Sequence, residues 1–285
     1  MSVGHAETGI ARPAQRRRAP RTAVGGVGPI GLGVATLWLS VIVLLPLAAM
    51  VAKALDGGVG ELWDAMTAPA ALAALEFTIA ASAVVTLVNV VVGTLIAWVL
   101  VRDEFPGKRL VDAVIDLPFA LPTIVASIVL LALYGPRSPV GVHLFATKPA
   151  VVLALLFVTL PFVVRSVQPV LMETDREAEQ AAASLGAGNW TIFRRIVLPA
   201  LVPTLLSGAG LAFARALGEY GSVVLIGGGI PHDTEVSSQY IAKQVETDRA
   251  TAAAAVSLSL LLVAFVVLVV LRLVAKRSMR HEVAS

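Results

Sequence analysis

Few residues in this 285-residue chain could do chemistry, and their types narrow the choice quickly. There is no cysteine, so thiolate catalysis, disulfides and Cys-based zinc sites are excluded. The four histidines, His5, His143, His232 and His281, never recur as H-x-x-x-H, so a histidine metal site has no support. Gly227, Gly228 and Gly229 lack a preceding strand and a following Lys-Ser/Thr, so they are not a P-loop, and the chain is not expected to bind ATP. No catalytic residue stands out, since neither a His-rich nor a paired-carboxylate site is present. What remains is a handful of polar residues set in apolar runs (Asn89, Asp116, Arg215, Glu219) and one polar, alanine-rich segment, EAEQAAASLGAGNW, from position 177 to 190. Charges inside an apolar span are costly and face a bundle interior or a water-filled path. Arg215 and Glu219, four apart, share a helix face and can pair. A structural ion pair near a helix end is the preferred reading, and a contact between Arg215 and a passing dianion is the alternative. Gly218 and Gly221, around Tyr220, suit close packing or a helix break at a gate. For Asn89 and Asp116 an interhelical hydrogen bond is preferred to a place on a path.

The elements that must position these residues follow from composition. Hydrophobic residues make up 57% and charged residues 14% of the chain, against about 45–50% and about 25% in ordinary soluble domains. Disorder is excluded for most of the chain, because disordered chains are poor in apolar residues. A soluble enzyme is disfavoured, because so few charges cannot cover a water-facing surface of this size. A helix needs about 20 apolar residues to cross the hydrocarbon core. Apolar runs at 29–52, 77–101, 117–134, 149–164, 196–214 and 251–271 predict six membrane helices, with the fourth short and the fifth interrupted beyond Ala214 by Arg215 and Glu219. The third extends back past Asp116. An all-α chain is expected, with a disordered basic arm at 1–28, a membrane domain at 29–277 and a short tail at 278–285.

Charge orients the domain. The arm, the loop after the second run, the loop between the fourth and fifth, and the tail carry sixteen Lys and Arg, against five on the opposite loops. The positive-inside rule then places both termini in the cytoplasm of a multi-pass cell-membrane protein. The first apolar run, about 24 residues long, exceeds the 7–15 of a cleaved signal peptide, so it reads as a retained anchor. The arm's arginines suit anionic lipid headgroups rather than nucleic acid.

The loop at 165–199 is long, and long ordered loops usually have a job. Thr174 to Glu177 fits an S/T-x-x-E capping box. Strong helix formers follow, and Gly186 is suited to end the helix in the left-handed conformation. Asn189 can cap a second short helix, and Pro199 and Pro203 punctuate the start of the fifth span. The expected product is a helix-turn-helix on the cytoplasmic face, whose small side chains let another protein approach closely. A helix merely lying on the membrane surface is the competing reading, disfavoured because a strong apolar stripe is missing.

The string EQAAASLGAGNWTIFRRIVLPAL resembles the "EAA" loop of ATP-binding-cassette importer permeases. Ala181, Ala182, Gly186, Ile196, Leu198 and Pro199 fall at that pattern's spacing, while the pattern's Glu is Gln180 here, with Glu179 just before it. Six spans with this loop between the fourth and fifth also match the family's layout. The resemblance implies a six-transmembrane-helix type I ABC importer permease bundle with a cytoplasmic coupling helix. It also implies a second permease subunit, in a heterodimer, and a cytoplasmic ATPase dimer that uses ATP and magnesium and pulls on the coupling helices. This chain itself would hold no cofactor and no metal.

Residues 215–222, RALGEYGS, with VVLIGGGIPHDTEV after them, resemble the fifth-helix end and outer loop of sulfate/thiosulfate and molybdate permeases. The Tyr-Gly-Ser form, with RSVQPVLMETDREAEQAAASLGA and TEVSSQYIAKQVETDRATAAAAVSLSLLL, is most similar to the T-type sulfate permease subunit. The outer loops at 53–76 and 220–249 are net acidic. A pore that captured dianions from bulk would be ringed with Lys or Arg, so the balance favours delivery by an extracytoplasmic sulfate-binding protein. A molybdate or tungstate permease is the nearest alternative. A stand-alone secondary transporter would need mid-membrane carboxylates and internal repeats, and neither is visible.

Overall fold

The computed structural model describes residues 29–174 and 176–282. The expectations placed on the arm at 1–28, and on the last three residues of the tail, lie outside them. All regular structure among the described residues is helical. Two compact units, 1–47 and 48–285, are described separately.

The first expected span begins as α1 (Pro29–Leu39), passes through a π turn (Ser40–Leu44) and continues as α2 (Leu45–Ala54). Pro46 explains the π turn. Its ring would crowd the carbonyl four residues back, at Ile42, and it has no N–H to donate there. Widening the turn around Ile42 removes both conflicts without ending the helix. The stretch Ile30–Ala54 is long and apolar enough to cross a membrane.

The second unit contains α3 (Gly58–Thr67), α4 (Pro69–Arg102), α5 (Lys108–Ile115), α6 (Leu117–Ala120), α7 (Thr123–Tyr134), α8 (Lys148–Glu173), α9 (Arg176–Ser184), α10 (Asn189–Ile192), a π turn (Phe193–Val197), α11 (Leu198–Leu217), α12 (Ser237–Glu246) and α13 (Ala250–Glu282). Helix α8 is the axis. It packs on α4 and α11, α11 packs on α4 and α13, and α12 packs on α13. One half of α8 buries Val151, Ala154 and Leu155 with Val85, Ala216 and Ile226. The other half buries Val163, Val164 and Val167 with Ala97, Val197 and Leu201. Between the halves Asn89 Nδ2 donates to Thr159 Oγ1 at 2.8 Å, both residues buried, so Asn89 makes an interhelical hydrogen bond. Small residues set the helix separations. A Cβ on Gly93 would lie 3.1 Å from Val163, and one on Gly208 would lie 3.1 Å from Ser166. Close approach of this kind is how membrane helices gain packing when lipid is as apolar as they are.

The spans differ in outline from expectation. The fourth and fifth are full length: α8 has 26 residues, and Asn189–Leu217 is one helix of 29. The loop between them therefore shrinks from 165–199 to 174–188. The third is the correction. Among the described residues five helices are long and apolar enough to cross a membrane, and α7, at 12 residues, is a shorter apolar helix. At 1.5 Å per residue it reaches about 18 Å, short of the roughly 30 Å core. The break falls at Leu121 and Pro122, both extended with ψ near 130° (134° and 132°). Proline disfavours the helical conformation in the residue before it, which is Leu121.

Candidate functional site

The segment around α9 is built from local rules. Helix α9 ends at Ser184, and Gly186 follows with φ +87°. Its N–H bonds Ala183 O at 2.9 Å, and Ala187 N–H bonds Ala182 O at 3.0 Å. That pair of bonds is a Schellman closure, which requires a left-handed residue at position 186. The start of α9 departs from expectation. The Thr174 hydroxyl donates backward to Val170 O at 2.7 Å. The helix begins at Arg176, so the cap position, 175, lies outside the described residues. Gln180, Ala181, Ser184 and Leu185 are exposed, Leu185 by 90%, while Ala182 and Glu179 are half-buried.

Asn189 does not cap a separate helix. Gly188 occupies the cap position, its carbonyl accepting from Thr191 and Ile192. The expected second short helix is instead the first turns of the fifth span. Pro199 lies two residues beyond the π turn, as Pro46 does beyond the first, and the turn widens around Arg195, the carbonyl its ring would otherwise crowd. Ile196, Leu198 and Pro199, all half-buried, thus belong to a continuous rod about 43 Å long that starts beside α9.

Two arginines tie this end together. Arg102, the last residue of α4, donates from Nη2 to Glu179 Oε1 at 2.5 Å. Its guanidinium carbon sits 5.4 Å from the Trp98 ring centroid. Trp98 meets Phe193 edge-on at 5.6 Å, and Phe193 stacks on Trp190 at 5.7 Å. Beside this chain of contacts is an open apolar cleft of about 830 Å³ walled by α4, α9 and the start of the fifth span. Arg165, on α8, donates from Nε to Asp116 and from Nη1 to Asp112 and Gln168, while Nη2 reaches the Asp112 carbonyl at 2.8 Å and the Asp116 carboxylate at 2.6 Å. It therefore clamps α5 and the α5–α6 junction, the first part of the broken third span, onto α8.

At the opposite end of α11, Arg215 Nη2 lies 2.8 Å from Glu219 Oε2, with Glu219 1% and Arg215 38% exposed. Glu219 Oε1 accepts from Ser222 N–H at 2.9 Å, and its carbonyl accepts from the Ser238 hydroxyl at 2.7 Å. Glu219 therefore organises the turn after α11 and ties it to α12. Gly218 caps α11, Gly221 presses against α7, and Tyr220 is 40% exposed. Asn89 shares no hydrogen-bond partner with this group. Among the described residues no cluster of three or more His, Asp or Glu could hold a metal ion.

Residues 89–280 match the family described as binding-protein-dependent transport system inner membrane component. The chain belongs to this family. It is a transport subunit and not an enzyme. The sulfate transport system permease protein CysT of Synechocystis sp. is 40% identical over 255 residues, covering 87% of this chain and 89% of the relative. The Escherichia coli protein of the same name is 40% identical over 235 residues, covering 80% and 85%. Among solved structures, a bacterial ABC transporter involved in import of the acidic polysaccharide alginate matches with TM-score 0.70 at 16% identity, over 86% of this chain and 93% of that one. A methionine ABC transporter in an inward-facing conformation matches with TM-score 0.53 at 18% identity, over 73% and 94%. These two speak for the fold, that of an ABC importer permease.

The fold of this permease brings together residues that sequence reasoning had set apart. Arg102 and Arg165 counted only as basic loop residues, yet each fixes an element. The turn at 220–227 runs along α7, where the Ser127 hydroxyl accepts from Leu225 and Ile226 N–H at 3.1 and 3.2 Å. A Cβ on Gly221 would sit 2.1 Å from Thr123 Oγ1 and 3.0 Å from the Ile124 backbone nitrogen. Backbone cannot yield as a flexible side-chain tip can. Gly221→Val in the permease is therefore expected to push α7 off the turn and to destabilise the protein by about 1–3 kcal/mol, the range for overpacking. Its melting temperature in detergent is the check, and an unshifted melt would contradict the contact.

Proposed function

We propose that the chain is the membrane-spanning permease subunit of an ATP-driven sulfate importer, with thiosulfate as a second cargo. The observation that carries the cargo is 40% identity over 87% of the chain to a sulfate permease. In this reading the chain makes six passes, the third through the broken α5–α7 stretch, and both termini lie in the cytoplasm with α9. A cytoplasmic ATPase dimer, using ATP and magnesium, grips Gln180, Ala181, Ala182 and the Gly186 turn. A second, different permease subunit completes the pathway. Three of the five basic side chains of the outer segments are paired, Lys53 with Asp56, Lys148 with Asp233 and Lys243 with Glu235. That supports delivery of the dianion by an extracytoplasmic binding protein rather than capture from bulk. Residues near Arg215, Gly218, Glu219, Tyr220 and Gly221 stand at the outer gate in this reading, with the Arg215–Glu219 pair holding the gate's shape.

The test is uptake of labelled sulfate in a host lacking its own sulfate permeases and supplied with this chain, its neighbouring ATPase, second permease and binding protein. Uptake is expected to depend on all four and to be competed by unlabelled sulfate and thiosulfate well before molybdate. Preferential competition by molybdate would overturn the cargo and leave the importer. Uptake that persists without the ATPase would overturn the importer.

A further inference from the structure

We propose that Glu179 acts inside the permease, as a positioning residue: with Arg102 it forms a brace that ties the coupling helix to the end of the second span. The proposal rests on the importer reading above and concerns how the coupling helix is held. The Glu179 side chain is 19% exposed and that of Arg102 only 10%. The guanidinium lies over Trp98, and its buried Nε has no hydrogen-bond partner, so Glu179 is the anion on which Arg102 depends. Neighbouring helix positions point about 100° apart. With Glu179 turned to α4, the next positions, Gln180 and Ala181, point elsewhere and are exposed, Gln180 at the rim of the cleft. The carboxylate one place before the "EAA" position is therefore not offered to a partner, and Gln180, neutral, stands where the family pattern has its acid.

The brace gives α9 a second attachment. Its own chain leads through Gly186 and Gly188 into the rod that begins at Asn189. The ion pair adds a lateral link to α4, and the Trp98–Phe193–Trp190 contacts join α4 to the base of that rod. A displacement of α9 must then carry the second and fifth spans together. Without the pair, α9 can swing about its two glycines while the spans stay behind.

The experiment uses the complete transporter in liposomes and reads two quantities: ATP hydrolysed per sulfate imported, and ATPase retained on the permease. Glu179→Gln and Arg102→Gln should each raise ATP hydrolysed per sulfate about tenfold, within the range for directly contacting pairs, while the ATPase stays bound. The exchanged pair, Arg102→Glu with Glu179→Arg, should bring the ratio back to within about threefold of the parent. Should the single variants fail to reach the membrane, recovery of both insertion and coupling in the exchanged pair supports the brace, and no recovery overturns it. Loss of the ATPase from Glu179→Gln alone, or an unchanged ratio in both single variants, overturns it as well. Failure of the parent transporter to couple ATP to sulfate at all would strike the importer reading instead.

Discussion

Gly186→Val is expected to cut sulfate uptake at least tenfold while the protein still inserts and the ATPase still turns over. No atom lies within 4 Å of the position a Cβ would take, so crowding plays no part. The effect comes from the backbone alone. At φ +87° an L side chain collides with its own carbonyl, at about 1–2 kcal/mol, and a β-branched residue fares worse. The chain escapes by leaving the left-handed region, which breaks both bonds of the Schellman closure and redirects the path from α9 to Asn189. In the proposed importer, a helix that no longer has a fixed angle to the fifth span would still be gripped and would still move, but the motion would be lost in the turn. Gly186→Asn separates this from a general intolerance of side chains there, since Asn enters the left-handed region readily. It should retain most of the uptake. The measurement is ATP hydrolysed per sulfate, with membrane insertion scored alongside. Equal ratios for the valine and asparagine variants would remove the turn from the mechanism.

That glycine was legible in the sequence because the information is local: strong helix formers, then Gly, at a position where only short-range hydrogen bonds decide the conformation. The same holds for the number of apolar runs, since burial in lipid acts on composition alone. The edges of the runs were not legible, for a common reason. Charge-free counting stopped the second run before Arg102, the fourth before Arg165 and the fifth before Arg215. Helices α4, α8 and α11 include all three. Each charge is matched by an acid 77, 49 or 4 residues away, and the first two pairings exist only once the bundle has formed. Proline was ambiguous in the same way. Pro161, Pro169 and Pro203 remain inside helices, while Pro122 ends one. The residue type does not tell these apart. What differs is that Pro122 stands where the chain docks, with the turn at 220–227 against α7 on one side and Arg165 gripping α5 and α6 on the other. The expected gate residues around Glu219 were found together, but their joint role in shaping that turn needed the Ser222 and Ser238 contacts to become visible.

Arg165→Ala is expected to be the most damaging single substitution at the α9 end of the bundle, because one guanidinium supplies both ion pairs between α8 and the start of the broken third span. A helix that crosses the bilayer in one piece holds itself through its own backbone. A span broken at Leu121 and Pro122 cannot, and the piece before the break must be held from outside. Asp112, Asp116 and the Asp112 carbonyl are arranged as a fork around Arg165, with Gln168 bridging to Asp112 at 3.2 Å. Charge-assisted hydrogen bonds are worth about 1.5–3 kcal/mol each when sheltered, and solvent reduces that here because the carboxylates are about half exposed. Lys places one compact charge where Arg places a planar fork, so Arg165→Lys is expected to recover only a minor part. The readout is limited proteolysis of the α4–α5 link at 103–107, which should quicken severalfold in Arg165→Ala, together with loss of uptake. Cleavage at 103–107 that is no faster in Arg165→Ala than in the parent would show that contacts other than this guanidinium hold the start of the third span in place.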